Sequence, residues 1–427
     1  MEPDNPRIVH RGDDLNHRVM FFEIGSGGHR LEFVERLLLG LAEQRFLGSV
    51  VFVLTPDFKD RLDDSLLTDA RKSNAVDLVY MTGSESRRCQ SNSGLWRRIN
   101  RSLVLDRYLR ATDSDLGFVN YLDPVLTGLT VPFPGRSRRA IAGILFRPTV
   151  HYPSPDGEPA GSRSLSRRIR HRLSSSAEHI LYKRSFRNPR LTSVLSLDPF
   201  FPDYARRRYR GGDKVRRLPE PYSGGQSPEL GERRAERITF VLIGSITRRK
   251  GLLETLDALS QLTSDESSQI RLVVAGRIQD DLRAEAERRA EELLANRPEL
   301  DIEIRDAFIP EDEFGTLIRD SHVILAPYRR HVGSSGILVW AAHHRRPVIS
   351  QRFGLMGALV ARYGLGLVCN PEDAMALAQC IRQAVLNGPQ TLGDPAGMAE
   401  FAARNDNQSF LKSVFLAAGL QQDSIAG

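Results

Sequence analysis

Lys250 stands in the string FVLIGSITRRKGLLETLDAL, residues 240–259, where an apolar run stops at Gly244 and Ser245 and a Lys-Gly pair opens a helical pattern. A lysine at that point, flanked by Arg248 and Arg249 and by the unpaired N–H groups of a helix start, would face an anion, above all a phosphate. A second small-residue turn, Gly333-Ser334-Ser335-Gly336, precedes another apolar helical stretch. Its two hydroxyls and helix-start amides suit a diphosphate or a sugar hydroxyl, although Ser335 could equally be an ordinary N-cap, and one residue can serve both purposes. In the first half, Gly25-Ser26-Gly27-Gly28-His29 forms a turn that would put His29 at the end of a strand; the plainer reading is a turn that needs glycine for positive φ and carries an incidental histidine. Asp123, between FVNYL and Pro124, could act as a base or bind hydroxyls, but an aspartate before proline is also ordinary helix capping, and capping is the preferred reading. Arg147 and His151, in GILFRPTVHY, follow a further strand and could touch a phosphate or a sugar.

These residues need strand ends to hold them, and the chain supplies strands in series. Apolar runs of strand length occur at residues 18–24, 49–54, 76–80, 116–121, 140–146 and 191–197, separated by helix-capable stretches. The clearest of those places Leu31, Val34, Leu37, Leu38 and Leu41 at three- and four-residue steps, a stripe that must pack on a sheet. The alternation restarts with strands at 238–243, 270–275, 302–304, 323–326, 348–350 and 365–369. Helices are expected over 252–262, 281–294, 312–318, 335–342 and 373–385. Strands alternating with helices predict βαβ units and parallel sheets buried on both faces. The expected organisation is a mobile leader over 1–17, a first Rossmann-like domain over 18–206 and a Gly-, Pro- and charge-rich linker over 207–237. A second Rossmann-like domain over 238–395 and a helical tail over 396–427 follow; the tail either returns to the first domain or caps the second locally. Ligands of such sheets bind beyond the carboxyl ends of the strands, so a cleft between domains is the expected site.

Composition narrows the function classes. With 427 residues, 41% hydrophobic and 26% charged, the chain has the profile of a globular protein of two or three domains, not of a disordered chain or a membrane bundle. No apolar run approaches the ~20 residues of a bilayer span, and the start is polar and acidic where a signal peptide would be basic and then apolar. Cys89, Cys369 and Cys380 are too few and scattered for a disulfide framework or a cysteine zinc site. These points predict a cytoplasmic protein. The balance of 60 Lys and Arg against 53 Asp and Glu gives a net charge of +7, which permits an anionic partner without requiring one. Residues 163–187 interleave Leu165, Ile169, Leu173, Ile180 and Leu181 with arginines and could lie on an anionic membrane surface; an ordinary domain helix with a charged face is the plainer reading. The basic residues are dispersed and no RRM, KH or zinc-finger pattern appears, so nucleic acid is not expected as a partner.

The string at 240–259, followed by LVVAG and VILAPYRRHVGSSGILVWAAHHRRPVIS, resembles the donor half of GT-B glycosyltransferases, most closely glycosyltransferase family 4 with its glycosyl transferases group 1 domain. The likeness covers roughly residues 238–390. It is looser in the first half, where it rests on the Gly-rich turn before His29, the strand leading to Asp123, and KVRRLPEPY. The resemblance implies a doubly wound GT-B architecture and a nucleotide-sugar-dependent transferase of hexosyltransferase type, retaining at the anomeric carbon, serving polysaccharide or glycoconjugate synthesis. The first domain would hold a glycan or lipid-linked acceptor through Arg147 and His151, with His29 and Asp123 at the reacting centre. The donor would meet Gly27, Gly28, Gly244, Ser245, Arg248, Arg249, Lys250 and Gly333 to Gly336. No cofactor is implied, and no metal is required where cations and helix dipoles stabilise a departing diphosphate. Two departures stand out. Ser245 replaces an arginine of the family pattern, and the family's pair of glutamates falls at Val332 and Trp340, neither of which can accept a hydrogen bond from a hydroxyl through its side chain. The alternative they raise is a GT-B-like binding or scaffold protein that has lost catalysis.

Overall fold

The computed structural model describes residues 17–27, 29–90, 94–131, 137–152, 176–222, 224 and 236–422. Of these, residues 17–146, 178–218 and 411–422 make the first compact unit and the remainder the second. The expected leader lies outside the described residues up to position 16, as do residues 163–175 of the basic stretch, residues 225–235 of the expected linker, and Gly28.

The first unit is built on a parallel sheet of seven strands: β1 (Arg18–Phe22), β2 (Ser49–Leu54), β3 (Ala75–Tyr80), β4 (Leu116–Val119), β5 (Ala140–Leu145), β6 (Leu191–Ser196) and β7 (Val215–Arg217), in the order β3-β2-β1-β4-β5-β6-β7. Runs such as VMFF of β1 and VVFVL of β2 are apolar on both faces because both faces are covered; Val19 to Phe22 have no exposed surface, and Phe21 stacks on Phe52 at 5.2 Å. The helix His29–Glu43 follows β1 and buries Val34, Leu37, Leu38 and Leu41, as its spacing requires. The strand order reverses between β1 and β4, where Phe22 pairs with Val53 on one side and Val119 on the other. A reversal of this kind opens a crevice at the strands' carboxyl ends.

The second unit repeats the plan with six parallel strands: β8 (Ile238–Ile243), β9 (Ile270–Ala275), β10 (Asp301–Arg305), β11 (Val323–Ala326), β12 (Val348–Gln351) and β13 (Gly366–Cys369), ordered β10-β9-β8-β11-β12-β13. Its reversal falls between β8 and β11. The helix Leu252–Leu259 after β8 buries Leu252, Leu253, Leu256 and Leu259 in a core shared with β8 and β9.

Two local expectations change. Residues 207–218 are not all linker: Val215–Arg217 adds β7 to the edge of the first sheet, a strand too short to show a hydrophobic period. The helix expected over 335–342 begins two residues later, at Ile337–His343, with Gly336 in the N-cap position. The tail forms two helices, Pro395–Ala403 and Asn407–Ala417. The distal part of the second packs in the first unit, where Phe415 meets Phe46 edge-on at 4.7 Å and the Leu47 N–H donates to the Gln421 carbonyl at 3.0 Å. Residues 176–185 are helical, with Tyr182 buried and Ile180 exposed. Among the described residues no helix is long and apolar enough to cross a membrane.

Candidate functional site

At the carboxyl end of β8 the chain turns at Gly244 and runs through a single 3-10 turn, Arg248–Lys250, into Gly251. Gly251 has φ +81°, and a Cβ there would lie 2.1 Å from the Pro327 carbonyl oxygen, so this close approach to the end of β11 is open to glycine alone. The approach brings Lys250 onto Tyr328, which is fully buried two residues past β11. The Lys250 ammonium donates to the Tyr328 hydroxyl oxygen and to the Ile243 carbonyl at 3.3 Å, and stands 4.5 Å from the centre of the ring. The Arg249 guanidinium lies 5.0 Å from the same ring centre. Ser335 Oγ is 3.2 Å from the tyrosine oxygen. Since that oxygen accepts from Lys250, its proton is available to Ser335.

The charges around this group are unevenly paired. Arg248 is drawn aside to Glu285 at 3.0 Å and to the Asp281 carbonyl at 3.2 Å. Arg329 is held between Glu254 at 2.9 Å and Glu372 at 3.1 Å, and Arg330 meets Glu372 at 3.3 Å. Arg249 and Lys250 differ: among the described residues neither meets a carboxylate, and the Tyr328 ring is their common neighbour. A hollow of about 330 Å³ opens among Arg248, Arg249, Arg329, Arg330 and Glu372. His331 sits beside it with its Nε2 2.9 Å from the Ser334 carbonyl. Burial pushes the His331 pKa down to about 4 against the pull of that carbonyl, and Arg249, Arg147 and Lys250 push the same way. The imidazole is therefore neutral at physiological pH and donates through Nε2–H, adding no cation to a site that already holds two.

The remaining expected residues of this unit fall as follows. Ser245 is exposed and Gly333 buried. Ser334 contributes its carbonyl to His331. Ser335 does not cap the helix Ile337–His343, which has no side-chain cap; its hydroxyl bonds Tyr328 instead, because the cap position passed to Gly336. Arg147 is exposed, yet near enough for its charge to act on His331 and Arg249. The His151 ring lies 4.1 Å from that of Tyr152. Trp340, at one of the two positions where the family carries a glutamate, packs edge-on against Tyr222 at 4.9 Å and Phe314 at 5.1 Å and parallel to His344 at 5.9 Å. An aromatic cluster occupies what a carboxylate would have made polar.

In the first unit, Gly27 is exposed and His29 is the first residue of the helix His29–Glu43. Asp123 opens the helix Asp123–Leu129, but Leu122 holds the cap position with no side-chain cap. The aspartate instead accepts the Phe146 N–H at 2.9 Å, tying the first residue past β5 to this helix start. Capping is thus corrected to a strand-end tie: Pro124 removes one of the N–H groups a cap would serve, and the amide beyond β5 takes the carboxylate. A second cavity, about 440 Å³, lies at the carboxyl ends of β1 and β4 between Ser26, Arg30, Asp57, Arg101 and Tyr121. Among the described residues no group of three or more His, Cys, Asp or Glu converges as metal ligands would.

Tyr328, His331, Glu23, Arg30 and Arg101 were not foreseen. Only Tyr328 carried a signal, an aromatic directly after a strand that ends beside the lysine turn; the others became visible through burial and contacts that span dozens of residues.

Residues 237–387 match the family model described as glycosyl transferases group 1. No curated protein matches. Solved structures match over nearly the whole chain at low identity, which establishes the fold. An α,α-trehalose-phosphate synthase (UDP-forming) from Burkholderia vietnamiensis aligns with a TM-score of 0.62 and 14% identity, covering 95% of this chain and 100% of that one. WaaG, a glycosyltransferase involved in lipopolysaccharide biosynthesis, aligns with a TM-score of 0.60 and 15% identity over 94% and 100%. HepE from Anabaena, in complex with UDP and glucose, aligns with a TM-score of 0.57 and 14% identity over 95% and 100%. The two parallel sheets are those of the GT-B glycosyltransferase fold.

Proposed function

We propose that this chain, which carries a glycosyl transferases group 1 domain on a GT-B fold, is a nucleotide-sugar-dependent glycosyltransferase whose donor diphosphate binds at Arg249 and Lys250. The observation that supports this reading best is the pair of cations converging on Tyr328 at the β8/β11 reversal with no carboxylate to neutralise them among the described residues. Two unneutralised cations at a strand-order reversal are a site for an anion from solution. In a transfer reaction they would stabilise the charge that grows on the departing diphosphate. Tyr328 and Ser335 fix the ammonium in place, and the neutral His331 leaves the balance of charge to the two cations and the ligand. The first unit would then take the acceptor, a glycan or a lipid-linked sugar.

The test is thermal unfolding against UDP-, GDP-, ADP- and TDP-sugars, since a ligand that binds only the folded state raises the midpoint. A selective rise that disappears in Lys250→Gln supports the reading. A rise unchanged in that variant, with the variant folded, refutes the assignment of the site. A second reading, a GT-B-like binding protein without catalysis, is favoured by one observation: Trp340 is packed among aromatic rings at a position where the family carries a glutamate. Release of nucleoside diphosphate on mixing donor with candidate acceptors separates the two, because a binding protein holds the donor and releases none.

A further inference from the structure

The net charge of the chain is concentrated in one stretch of the first unit. Residues 178–217 hold eleven Lys and Arg against four Asp and Glu, a balance of +7 that equals the net charge of all 427 residues. Three elements carry it, and one set of buried rings holds them together. Tyr182, in the helix over 176–185, and Phe186 just past it pack on Phe201, which opens the helix Phe201–Arg208, and on Tyr209, which follows that helix, with ring centres 5.4 to 6.4 Å apart. All four rings are buried. The chain then turns at Gly211, φ +82°, where a Cβ would lie 2.2 Å from the Phe186 carbonyl oxygen and 3.7 Å from the Arg187 nitrogen. Glycine thus lets the turn close on the end of the first helix and brings the backbone of Arg210 beside that of Arg187. Lys214 fixes the same junction by donating to the Asn188 carbonyl at 2.9 Å.

With the rings inside, the cations stand outside. Lys183, Arg184, Arg187, Arg207, Arg208 and Arg210 are all exposed, and among the described residues none of these six meets a carboxylate; in the run 206–208 it is Arg206 that pairs, with Asp203 at 2.9 Å. Exposed arginines of the second unit are placed differently: Arg271 meets Glu303 at 2.7 Å and Arg288 meets Glu292 at 2.5 Å. Like charges on neighbouring elements repel, and a surface of this kind attracts an anionic partner. Ile180 adds a second property. It is 53% exposed and precedes Lys183 and Arg184 by three and four residues, so the three share one face of the helix. An apolar side chain set among cations on one helix face is the pattern of a helix that lies on a membrane surface. A face for single-stranded nucleic acid would present rings for bases to stack on; here Tyr182, Phe186, Phe201 and Tyr209 are the core, and Ile180 is the side chain presented.

We propose that this face of the first unit docks on an anionic lipid surface, with the six cations among the head groups and Ile180 at the acyl boundary. Each Lys or Arg near such a surface is worth about fivefold in partitioning, so several together hold a protein there without a spanning segment. The attraction reaches about one Debye length and is screened by salt, whereas the apolar contact of Ile180 is not. The buried rings keep the two helices and the turn at fixed positions, so little order is lost on docking. The inference stands apart from the donor reading, because lipid binding is measured without a nucleotide sugar.

The test is co-sedimentation of the full chain with sucrose-loaded vesicles, one set of phosphatidylcholine alone and one with a third of the lipid replaced by phosphatidylglycerol. Binding to the mixed vesicles and not to phosphatidylcholine, falling as salt rises, is expected. Arg207→Gln with Arg208→Gln should weaken the partition about 30-fold and leave the unfolding midpoint in place, since glutamine is a good helix former at exposed positions. Arg271→Gln with Arg288→Gln removes the same charge from the second unit and should change the partition by less than about twofold. Ile180→Ser should weaken it about threefold or more. No binding to the mixed vesicles at low salt overturns the proposal. So does an equal loss in the two double variants, which would mean diffuse attraction by net charge. Unchanged binding in Ile180→Ser, with duplex RNA of matched phosphate concentration stripping the protein from the vesicles, would assign the face to nucleic acid and overturn it as well.

Discussion

Glu23→Gln should make the protein more stable, and by an amount that depends on pH in a way few substitutions would imitate. The Glu23 carboxyl is 1% exposed and its pKa is pushed up from 4.5 to about 7, mainly by burial. A raised carboxyl pKa means that the folded state binds a proton the unfolded state has released. The favourable contribution is present in full below the unfolded value and is lost as pH rises through 7. A gap of about 2.5 pH units at ~1.36 kcal/mol each costs the folded state about 3 kcal/mol once pH exceeds 7. Glutamine keeps the acceptor for the Ile24 N–H and carries no charge, so it mimics the protonated form. The gain should be near zero at pH 4, below ~1 kcal/mol at pH 5, and about 3 kcal/mol at pH 8. For a unit of this size that corresponds to a rise of roughly 6–12 °C in the unfolding midpoint at pH 8. The assay is a pair of thermal scans on wild type and variant at half-unit steps from pH 4 to 8.5. A gain that is the same at every pH, or a loss at pH 8, would show that Glu23 is satisfied in the ionised form. If the gain appears as described, the wild type carries a costly carboxyl where an amide would be more stable, the pattern expected of a group kept for function.

Lys250→Gln should weaken nucleotide-sugar binding roughly 10- to 100-fold without lowering the unfolding midpoint by more than a few degrees, because the amide can still bond Tyr328; titration calorimetry with the donor picked out by the panel measures it. Trp340→Glu, which writes the family's glutamate back into the chain, should not restore donor recognition. It sets a carboxylate at a half-buried position against Tyr222, Phe314 and His344 and should cost about 1–3 kcal/mol, read as a fall in the midpoint. His331 and His344 both have pKa values pushed down to about 4, chiefly by burial. For a histidine held neutral the unfolded chain takes up the proton first, so stability is lost as pH falls from about 6.5 towards 4. His331→Asn should flatten part of that acid slope, and scans between pH 4 and 7 would show no change in slope if the imidazole is charged in the folded state. Arg190→Ala should destabilise the first unit by about 3–5 kcal/mol, since it strands the buried Asp106 to which Arg190 donates at 2.5 Å.

How much of this could be read in the residues follows from the range of the forces involved. Strands such as SVVFVL and VILA declare themselves because a doubly covered parallel strand must be apolar at every position, and observed bounds agree with the apolar runs to within a residue or two. The helix after β8 declares itself by its leucine spacing. β7 does not, because three residues at a sheet edge bury one valine beside an exposed and a half-buried arginine. Asp123 and Ser335 are instructive in another way: each has the residue type of a cap beside a helix start, and in each case a longer-range partner took the side chain, Phe146 for one and Tyr328 for the other. Local rules give the residues that compete for a hydrogen bond, not which competitor wins.

The same limit governs the candidate site. The position of Lys250 was legible because it is set locally, a charge placed by a turn that only glycine can make next to Pro327. What favours the proposed anion site is that no carboxylate among the described residues meets Lys250, and that depends on where Glu254, Glu285 and Glu372 went. They went to Arg329, Arg248 and Arg330, so the turn's own arginine at 248 is neutralised while Arg249 is left to the Tyr328 ring. Counting charges along RRK would have ranked the three cations together. Only their partners separate them, and the separation predicts that charge reversal at Arg248 perturbs a surface ion pair, whereas charge reversal at Arg249 or Lys250 removes the attraction on which the proposed donor binding rests.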